Sequence, residues 1–402
     1  MKFVIVGNGV AGITVARFLS ENSPENQVII YTAEQFPYYP RPRLPEFLAG
    51  EIAQEELYFY PPEWYEQRRI IVHLGTPIEG LDRAAKQVLP KGKPAEAYDR
   101  LLLASGGYAF VPPIEGKDQQ GVFVLRTLQD ALNIRAYAQN VHRAIVIGGG
   151  LLGMEAARGL RKLGLEVTVL ESAPYCLPRQ LDAKGASVFE KYATGLGLKI
   201  LTHASCEAIL GNGSVSGIRL TDGRTLDGEI VLISTGVRSN VALAKEAGLV
   251  VNKGVVVDEH LTTSDPAIFA AGDVAEFKGQ VWGIIPAAID QARVAWQNMI
   301  SPNSASYQGT VPSNTLKIVG IDLTTIGKFD PEGEPYQVYR RVGEEKGIYK
   351  KLVLQDGVIV GTILLGDKRP VGPISRLIQE GRNVSAYAEH LLDDDFDFNT
   401  IA

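Results

Sequence analysis

Two glycine runs carry the first chemical signal. Gly7-Asn8-Gly9-Val10-Ala11-Gly12 and Gly148-Gly149-Gly150-Leu151-Leu152-Gly153 both spell Gly-x-Gly-x-x-Gly. In such a run the first glycine permits a tight turn out of a strand. The second lets the backbone approach a pyrophosphate, and the third lets the next helix pack closely on the strand. The helix N-terminus then offers unpaired N–H groups and a partial positive charge to phosphates. Glu171 stands about 20 residues beyond the second run, where an acid takes ribose hydroxyls and repels a 2′-phosphate. Ser172-Ala173-Pro174 follow it and bring no arginine, so NAD(H) is expected there. In the first copy the helix–strand loop within 20–26 is longer, which aligns Thr32 with Glu171. Glu34, just beyond Thr32, is the acid expected to take the adenosine ribose of the first nucleotide.

These residues need strand–turn–helix frames, and the chain supplies them twice. Phe3-Val4-Ile5-Val6 and Ala144-Ile145-Val146-Ile147 lead into the glycines, helices are expected at 13–21 and 154–163, and second strands at Gln27–Tyr31 and Glu166–Leu170. Two copies in one context are a strong signal where one would be weak. A second device also repeats: apolar strands close on Ala104-Ser105-Gly106 and on Ser234-Thr235-Gly236. A third such strand, Ile268-Phe269-Ala270-Ala271, ends in Gly272-Asp273. Further strands are expected at 70–74, 81–89 and 98–104. The C-terminal part reads as an α+β unit without a glycine run, with strands at 314–318, 324–329, 337–341, 348–354 and 358–365 and a helix at 373–381. The acidic run Asp393-Asp394-Asp395-Phe396-Asp397 reads as a solvated tail. The fold class is α/β: two Rossmann-like dinucleotide-binding domains followed by a C-terminal α+β domain.

Composition narrows the field. The 402 residues are 45% apolar and 21% charged, the balance of a soluble globular protein with room for more than one domain. A formal charge of −6 argues against a nucleic-acid partner. The only cysteines, Cys176 and Cys206, cannot build a disulfide framework or hold an iron–sulfur cluster, and such usage fits a reducing cytoplasm. No apolar run reaches the roughly 18 residues of a membrane span. Met1-Lys2-Phe3-Val4 runs straight into the glycines with no Ala-x-Ala site, so it reads as mature structure.

The order of these devices resembles the two-dinucleotide-domain flavoprotein oxidoreductases that use pyridine nucleotides. The resemblance rests on both glycine runs, Ala104-Ser105-Gly106, Ser234-Thr235-Gly236 and Phe269-Ala270-Ala271-Gly272-Asp273-Val274-Ala275. It implies FAD on the first run and NAD(H) on the second, with Asp273 binding the ribityl chain. It also implies a discontinuous FAD domain at 1–107 and 238–305, an NAD domain at 108–237 and a C-terminal domain at 306–402. Members that reduce disulfides carry Cys-x-x-x-x-Cys and a C-terminal His–Glu pair; neither is present. Others use one cysteine in the segment that here reads Tyr38-Tyr39-Pro40-Arg41-Pro42-Arg43-Leu44-Pro45-Glu46, which has none. That segment is similar to the NADH:rubredoxin oxidoreductases and, more loosely, to ferredoxin reductases, whose lysine beside the flavin is replaced here by Glu46. The flavoproteins linked through a ferredoxin-like subunit to carbon monoxide dehydrogenase look like relatives of the same branch.

What the resemblance implies for the site is specific. Glu155, in the first turns after the second run, reaches toward the nicotinamide and the flavin edge. Arg41 and Glu46 lie on the loop nearest the flavin. The helix after Gly283-Ile284-Ile285-Pro286-Ala287 points its N-terminus at the flavin's pyrimidine oxygen. NADH passes a hydride to FAD, and single electrons go on to a small iron–sulfur carrier, rubredoxin or ferredoxin-like. Paired cations offer a docking face for an acidic carrier: Arg41 and Arg43, Arg68 and Arg69, Arg340 and Arg341, Lys350 and Lys351, Lys368 and Arg369. Two other classes stay open: an NADH oxidase using dioxygen, and a non-catalytic FAD/NADH-binding partner protein. The sequence leaves the oligomeric state open.

Overall fold

The apolar runs ahead of the glycines are the central strands of two parallel sheets. The computed structural model describes residues 1–310, 313–331, 333 and 335–401. In the first sheet the order is Ile268–Ala270, Arg100–Leu103, Lys2–Val6, Gln27–Tyr31, Ile70–His73, all parallel. In the second it is Val122–Phe123, Ile230–Ile233, Arg143–Ile147, Glu166–Leu170, Leu198–Leu201, again all parallel. Covered on both faces, these strands read as continuous apolar runs rather than alternating ones. Phe3, Val4 and Ile5 are fully buried, as are Val146 and Leu232.

The strand ends Val6, Leu103 and Ala270 lie side by side in the first sheet, and Ile147 and Ile233 in the second. That brings each glycine run beside its Ser-Gly or Thr-Gly turn, and Gly272-Asp273 beside the first run. Ligands of open parallel sheets bind at these carboxyl ends.

The segment around Arg41 belongs by packing to the second sheet's core. Tyr39, Leu44, Phe47, Leu48 and Leu57 share a hydrophobic cluster with Ala156, Ala157 and Leu160 of the helix Leu151–Lys162. The short helix Leu44–Leu48 sits close because position 159 is glycine; a Cβ there would come within 3.2 Å of the Leu48 side chain. Burying Leu48 and Phe47 is worth roughly 2–3 kcal/mol each. The C-terminal domain is a five-stranded antiparallel sheet in the order Ser313–Ile318, Ile321–Gly327, Val358–Leu365, Ile348–Gln355, Tyr336–Gly343, covered by the helix Val371–Glu380.

Four expectations need correction. The span 81–89 is a hairpin, Ile78–Asp82 with Gln87–Pro90, because Asp82 Oδ1 accepts the Ala85 N–H at 2.9 Å and turns the chain. The two helices after the glycine runs start earlier, at Val10 and Leu151, because the loop's last turn is already helical. The acidic tail is fastened rather than solvated. Asp394 pairs with Lys350 at 2.6 Å, Asp393 with Arg341 at 2.9 Å, and Phe396 and Phe398 pack on the C-terminal core. The pair Lys350–Lys351 is not at the surface: both are buried against carboxylates. At the surface Arg340 donates to the Tyr349 hydroxyl, Arg369 pairs with Asp367, Arg43 pairs with Glu46, and Arg68 lies over Trp64.

Candidate active site

Close approach explains the glycines. Gly7 has φ +113° and Gly148 φ +115°; a Cβ would lie 2.2 Å from the Ala104 carbonyl oxygen in one and 2.3 Å from the Ser234 carbonyl oxygen in the other. At Gly12 and Gly153 a Cβ would meet the Gly7 and Gly148 carbonyl oxygens at 2.0 and 1.9 Å. The middle glycines differ. A Cβ on Gly9 or Gly150 would meet nothing within 4 Å, so both face open space. Both helices begin there without a side-chain cap and without an acid in the first turn. An open cradle before an uncapped helix N-terminus is what a pyrophosphate requires, so the residues present fit a dinucleotide at each run.

A cavity of about 850 Å³ begins at the first run and crosses to the second helix. Gly7, Gly9, Val10, Ala11, Thr32, Glu34, Arg41 and Glu46 line it, with Ala104, Ser105, Gly106, Gly272 and Asp273 beside the first run. Leu151, Leu152, Glu155 and Arg158 close its far end beside Glu51, Lys317 and Gly320. Gly283, Ile284, Ile285 and Ala288 bring in the start of the helix Ile285–Ile300; of the two residues expected there, Ala287 is turned into the core and Pro286 is exposed off the wall. Gly12 packs beneath the loop and does not line the cavity.

Polar partners fix the walls. Arg41 donates to Glu34 at 2.7 Å and to the Arg126 carbonyl oxygen at 2.5 Å, while Tyr39 donates to the other Glu34 oxygen. Each Glu34 oxygen thus holds one protein donor and keeps a lone pair toward the cavity, so the acid orients Arg41 while still lining the wall. Burial, more than the neighbouring Glu34 charge, pushes the Tyr39 hydroxyl well above its ordinary value. Arg126 bridges the FAD-side turns, donating to Asp273 at 2.8 Å and to the Gly107 carbonyl oxygen at 3.0 Å. Its position went unread in the sequence, although the Thr127/Asp130 capping box after it marks a helix start aimed at the cavity.

At the far end, Glu155 is largely buried. One oxygen accepts the Val319 N–H and the other lies 3.6 Å from Arg158 Nε. Burial raises the Glu155 carboxyl above its usual range, partly offset by that N–H and by Arg158. Arg158 also grips Glu51 through two bonds of 2.6 and 2.9 Å, which lower the Glu51 carboxyl. Arg158, three residues beyond Glu155 on one helix face, was legible in spacing; Glu51, Val319 and Lys317 come from distant segments and were not.

Of the residues expected at the second nucleotide, Leu151, Leu152 and Glu155 line this cavity, while Gly148, Gly150, Gly153, Glu171, Thr235 and Gly236 do not. Gly148, Gly150 and Gly153 follow the strand Arg143–Ile147 and lie beside the Ser234-Thr235-Gly236 turn, with Thr235 Oγ1 donating to the Phe110 carbonyl oxygen at 2.8 Å. Glu171 accepts N–H groups from Gly149 at 2.9 Å and Ala173 at 2.8 Å, so its carboxylate is braced at the loop. Cys176 is fully buried near Gly149; burial pushes its thiol far up, and pushes that of Cys206 to about 11. Neither lines the cavity.

A family model described as pyridine nucleotide-disulphide oxidoreductase matches residues 1–298. The chain belongs to this family. Its members are FAD-dependent and use NAD(H), which makes the chain a flavoprotein oxidoreductase and bears out the expected family, fold class and cofactors. A second model, described as the rubredoxin NAD+ reductase C-terminal domain, matches residues 312–382. The chain is 34% identical over 385 residues to a nitrite reductase [NAD(P)H] of Bacillus subtilis, covering 96% of this chain and 48% of that one. It therefore spans about half the length of that relative. It is 30% identical over 370 residues to the NADH-rubredoxin oxidoreductase of Clostridium acetobutylicum, covering 91% and 93% of the two chains. A ferredoxin reductase of the CYP199A2 system from Rhodopseudomonas palustris superposes with a TM-score of 0.89 at 26% identity, covering both chains fully. Among the described residues no helix is long and apolar enough to cross a membrane.

Proposed function

We propose that this chain takes electrons from NADH through FAD and delivers them singly to a small iron–sulfur protein, rubredoxin or ferredoxin-like, in the cytoplasm. One observation carries the reading: the cavity runs from the first glycine loop to Glu155 with no thiol in its wall. A family built for disulfides has here no dithiol to receive electrons, so they must leave the protein. The C-terminal match and the names of the similar proteins support a protein carrier over a small disulfide.

FAD, when bound, supplies the conversion of a hydride into single electrons. The chain's own residues bind, orient and screen. Gly7, Gly9, Val10 and Ala11 cradle the first pyrophosphate, with Gly12 packed beneath them, Arg41 and Arg126 bring positive charge to it, and Asp273 takes the ribityl side with Thr32 and Glu34 at the adenosine end. Ala104, Ser105, Gly106 and Gly272 line the wall beside the first run, while the start of the helix Ile285–Ile300, with Pro286 and Ala287 in its first turn, gives the positive dipole end toward the ring. Gly148, Gly150, Leu151, Leu152 and Gly153 hold the second pyrophosphate, Thr235 and Gly236 flank it, and Glu171 takes the ribose. Glu155 stands where the nicotinamide end enters and holds a proton more readily than an exposed acid. Glu46 occupies the flavin-side loop as a half-exposed acid paired with Arg43 at 3.2 Å.

NADH consumption measured in air alone, with ferricyanide, and with rubredoxin or ferredoxin tests this. The carriers are expected to raise the rate well above that in air. Brisk oxygen uptake with neither carrier reduced at low salt would replace the reading with an oxidase.

A further inference from the structure

One residue of the C-terminal domain is held in a conformation its side chain opposes. Val319 and Gly320 form the two-residue turn of the hairpin closed by Ile318 and Ile321. Val319 has φ +51° and Gly320 φ +91°. Turns of this kind prefer Asn, Asp or Gly, and a β-branched residue in the left-handed region is strained unless its surroundings compensate. Two contacts compensate here. The Val319 side chain is buried with Ile318 in the same cluster as Ala156, Ala157 and Leu160 of the second helix. Its backbone N–H donates to Glu155 Oε1.

The tip thus reaches from the C-terminal domain into the end of the cavity, where Lys317 and Gly320 also line the wall. The Glu155 carboxylate is gripped from two directions: by the Val319 N–H, and through Arg158 by Glu51 of the N-terminal segment. Two distant stretches of chain thus meet at the helix that carries Glu155, one binding the acid itself and the other its Arg158 neighbour.

We propose that Val319 is a positioning residue, whose main-chain N–H, presented by the strained turn, fixes the Glu155 carboxylate for nicotinamide engagement. The proposal rests on the FAD/NAD reading above. It gives the C-terminal domain a part in the hydride step in addition to any carrier docking. It also explains valine at a turn position suited to glycine: the buried isopropyl group plugs the tip onto the helix that carries Glu155.

The test separates reach from charge, in the FAD-loaded protein. Amide hydrogen exchange is read at Val319 by fragment-resolved mass spectrometry in wild type, Glu155→Gln, Glu155→Asp and Glu155→Ala. Glutamine keeps an oxygen at the same reach, so protection should stay within about threefold of wild type. Aspartate keeps the charge but retracts it by one methylene, and alanine removes it; in both, Val319 should exchange at least tenfold faster, while amides of the strand Ile348–Gln355 stay unchanged. Adding NAD+ to wild type should leave the Val319 amide as protected or more so. Equal protection in wild type, Asp and Ala variants would overturn the proposal, as would loss of protection on adding NAD+. Flavin content and bleaching of the flavin by NADH, recorded on the same wild-type sample, report separately on the underlying reading.

Discussion

Gly9→Ala should separate folding from FAD binding. Gly9 has φ −86° and ψ −170°, backbone any residue adopts, and an added Cβ meets no atom within 4 Å. The fold should therefore accept alanine at a cost below about 1 kcal/mol. That Cβ nevertheless occupies the open side of the loop, where a pyrophosphate must come against the backbone N–H groups. Hydrogen bonds to charged acceptors contribute about 1.5–3 kcal/mol each. Losing one or two of them, about 1.5–6 kcal/mol, weakens FAD by roughly ten- to ten-thousandfold. Gly12→Ala is the contrast: its Cβ would sit 2.0 Å from the Gly7 carbonyl oxygen, so the helix must move and stability should fall by about 1–3 kcal/mol or more, as overpacking does. The assay pairs a thermal melt of the apoprotein with titration of FAD into it, followed by flavin fluorescence. A Gly9→Ala protein that melts like wild type but binds FAD weakly is the expected result. Wild-type FAD affinity in Gly9→Ala, or an apoprotein as destabilised as Gly12→Ala, would refute the reasoning.

Glu171→Ala should narrow the preference for NADH over NADPH, which unpaired approach of phosphate to this braced carboxylate sets at about 2–3 kcal/mol; the ratio of kcat/KM for the two nucleotides reads it. Replacing both Cys176 and Cys206 by alanine should leave NADH-driven reduction of a carrier within about twofold, and a collapse of that rate in folded protein would reinstate thiol chemistry. Lys351→Met should destabilise the protein by about 3–5 kcal/mol in a thermal melt, because Lys351 and Asp182 are both buried and 2.8 Å apart and the acid would lose its main partner. Acid should weaken the same region. Burial pushes the Asp182 carboxyl up, but Lys351, Tyr349 and the Gly185 N–H more than offset it, while Arg369 and then Lys350 lower Asp367. With folded values depressed, this stability is complete above the unfolded value near about 4 and is lost as the pH falls below it, so a melt series should decline from about pH 4 downward.

The parts of the molecule set by local periodicity were legible in the sequence. Buried parallel strands are continuous apolar runs, and the Gly-x-Gly-x-x-Gly spacing between strand and helix repeats, so the loops at Gly7 and Gly148 could be placed from spacing alone. The charged end of the cavity could not. Arg158 could be read from its place one turn beyond Glu155, but Glu51, which holds Arg158, and the Val319 N–H, which binds Glu155, come from segments far apart in the chain, and no local pattern encodes that meeting. Pairs of cations misled for the same reason: Lys350 and Lys351 look like a basic patch in sequence, yet alternate strand positions bury each against carboxylates on opposite faces. Glu34 is expected at the first ribose from its position, but that it also orients Arg41 and accepts from Tyr39 is visible only in the fold.

The most direct test of the central claim is anaerobic stoichiometry. NADH is added in limiting amounts to the FAD-loaded protein with excess oxidised rubredoxin or ferredoxin, and the reduced carrier is counted from its absorbance. A flavoprotein that turns one hydride into single electrons should yield about two reduced carriers per NADH, with a rate that exceeds NADH oxidation in air without carrier. Carrier left oxidised while NADH is consumed only when oxygen is admitted would contradict the account.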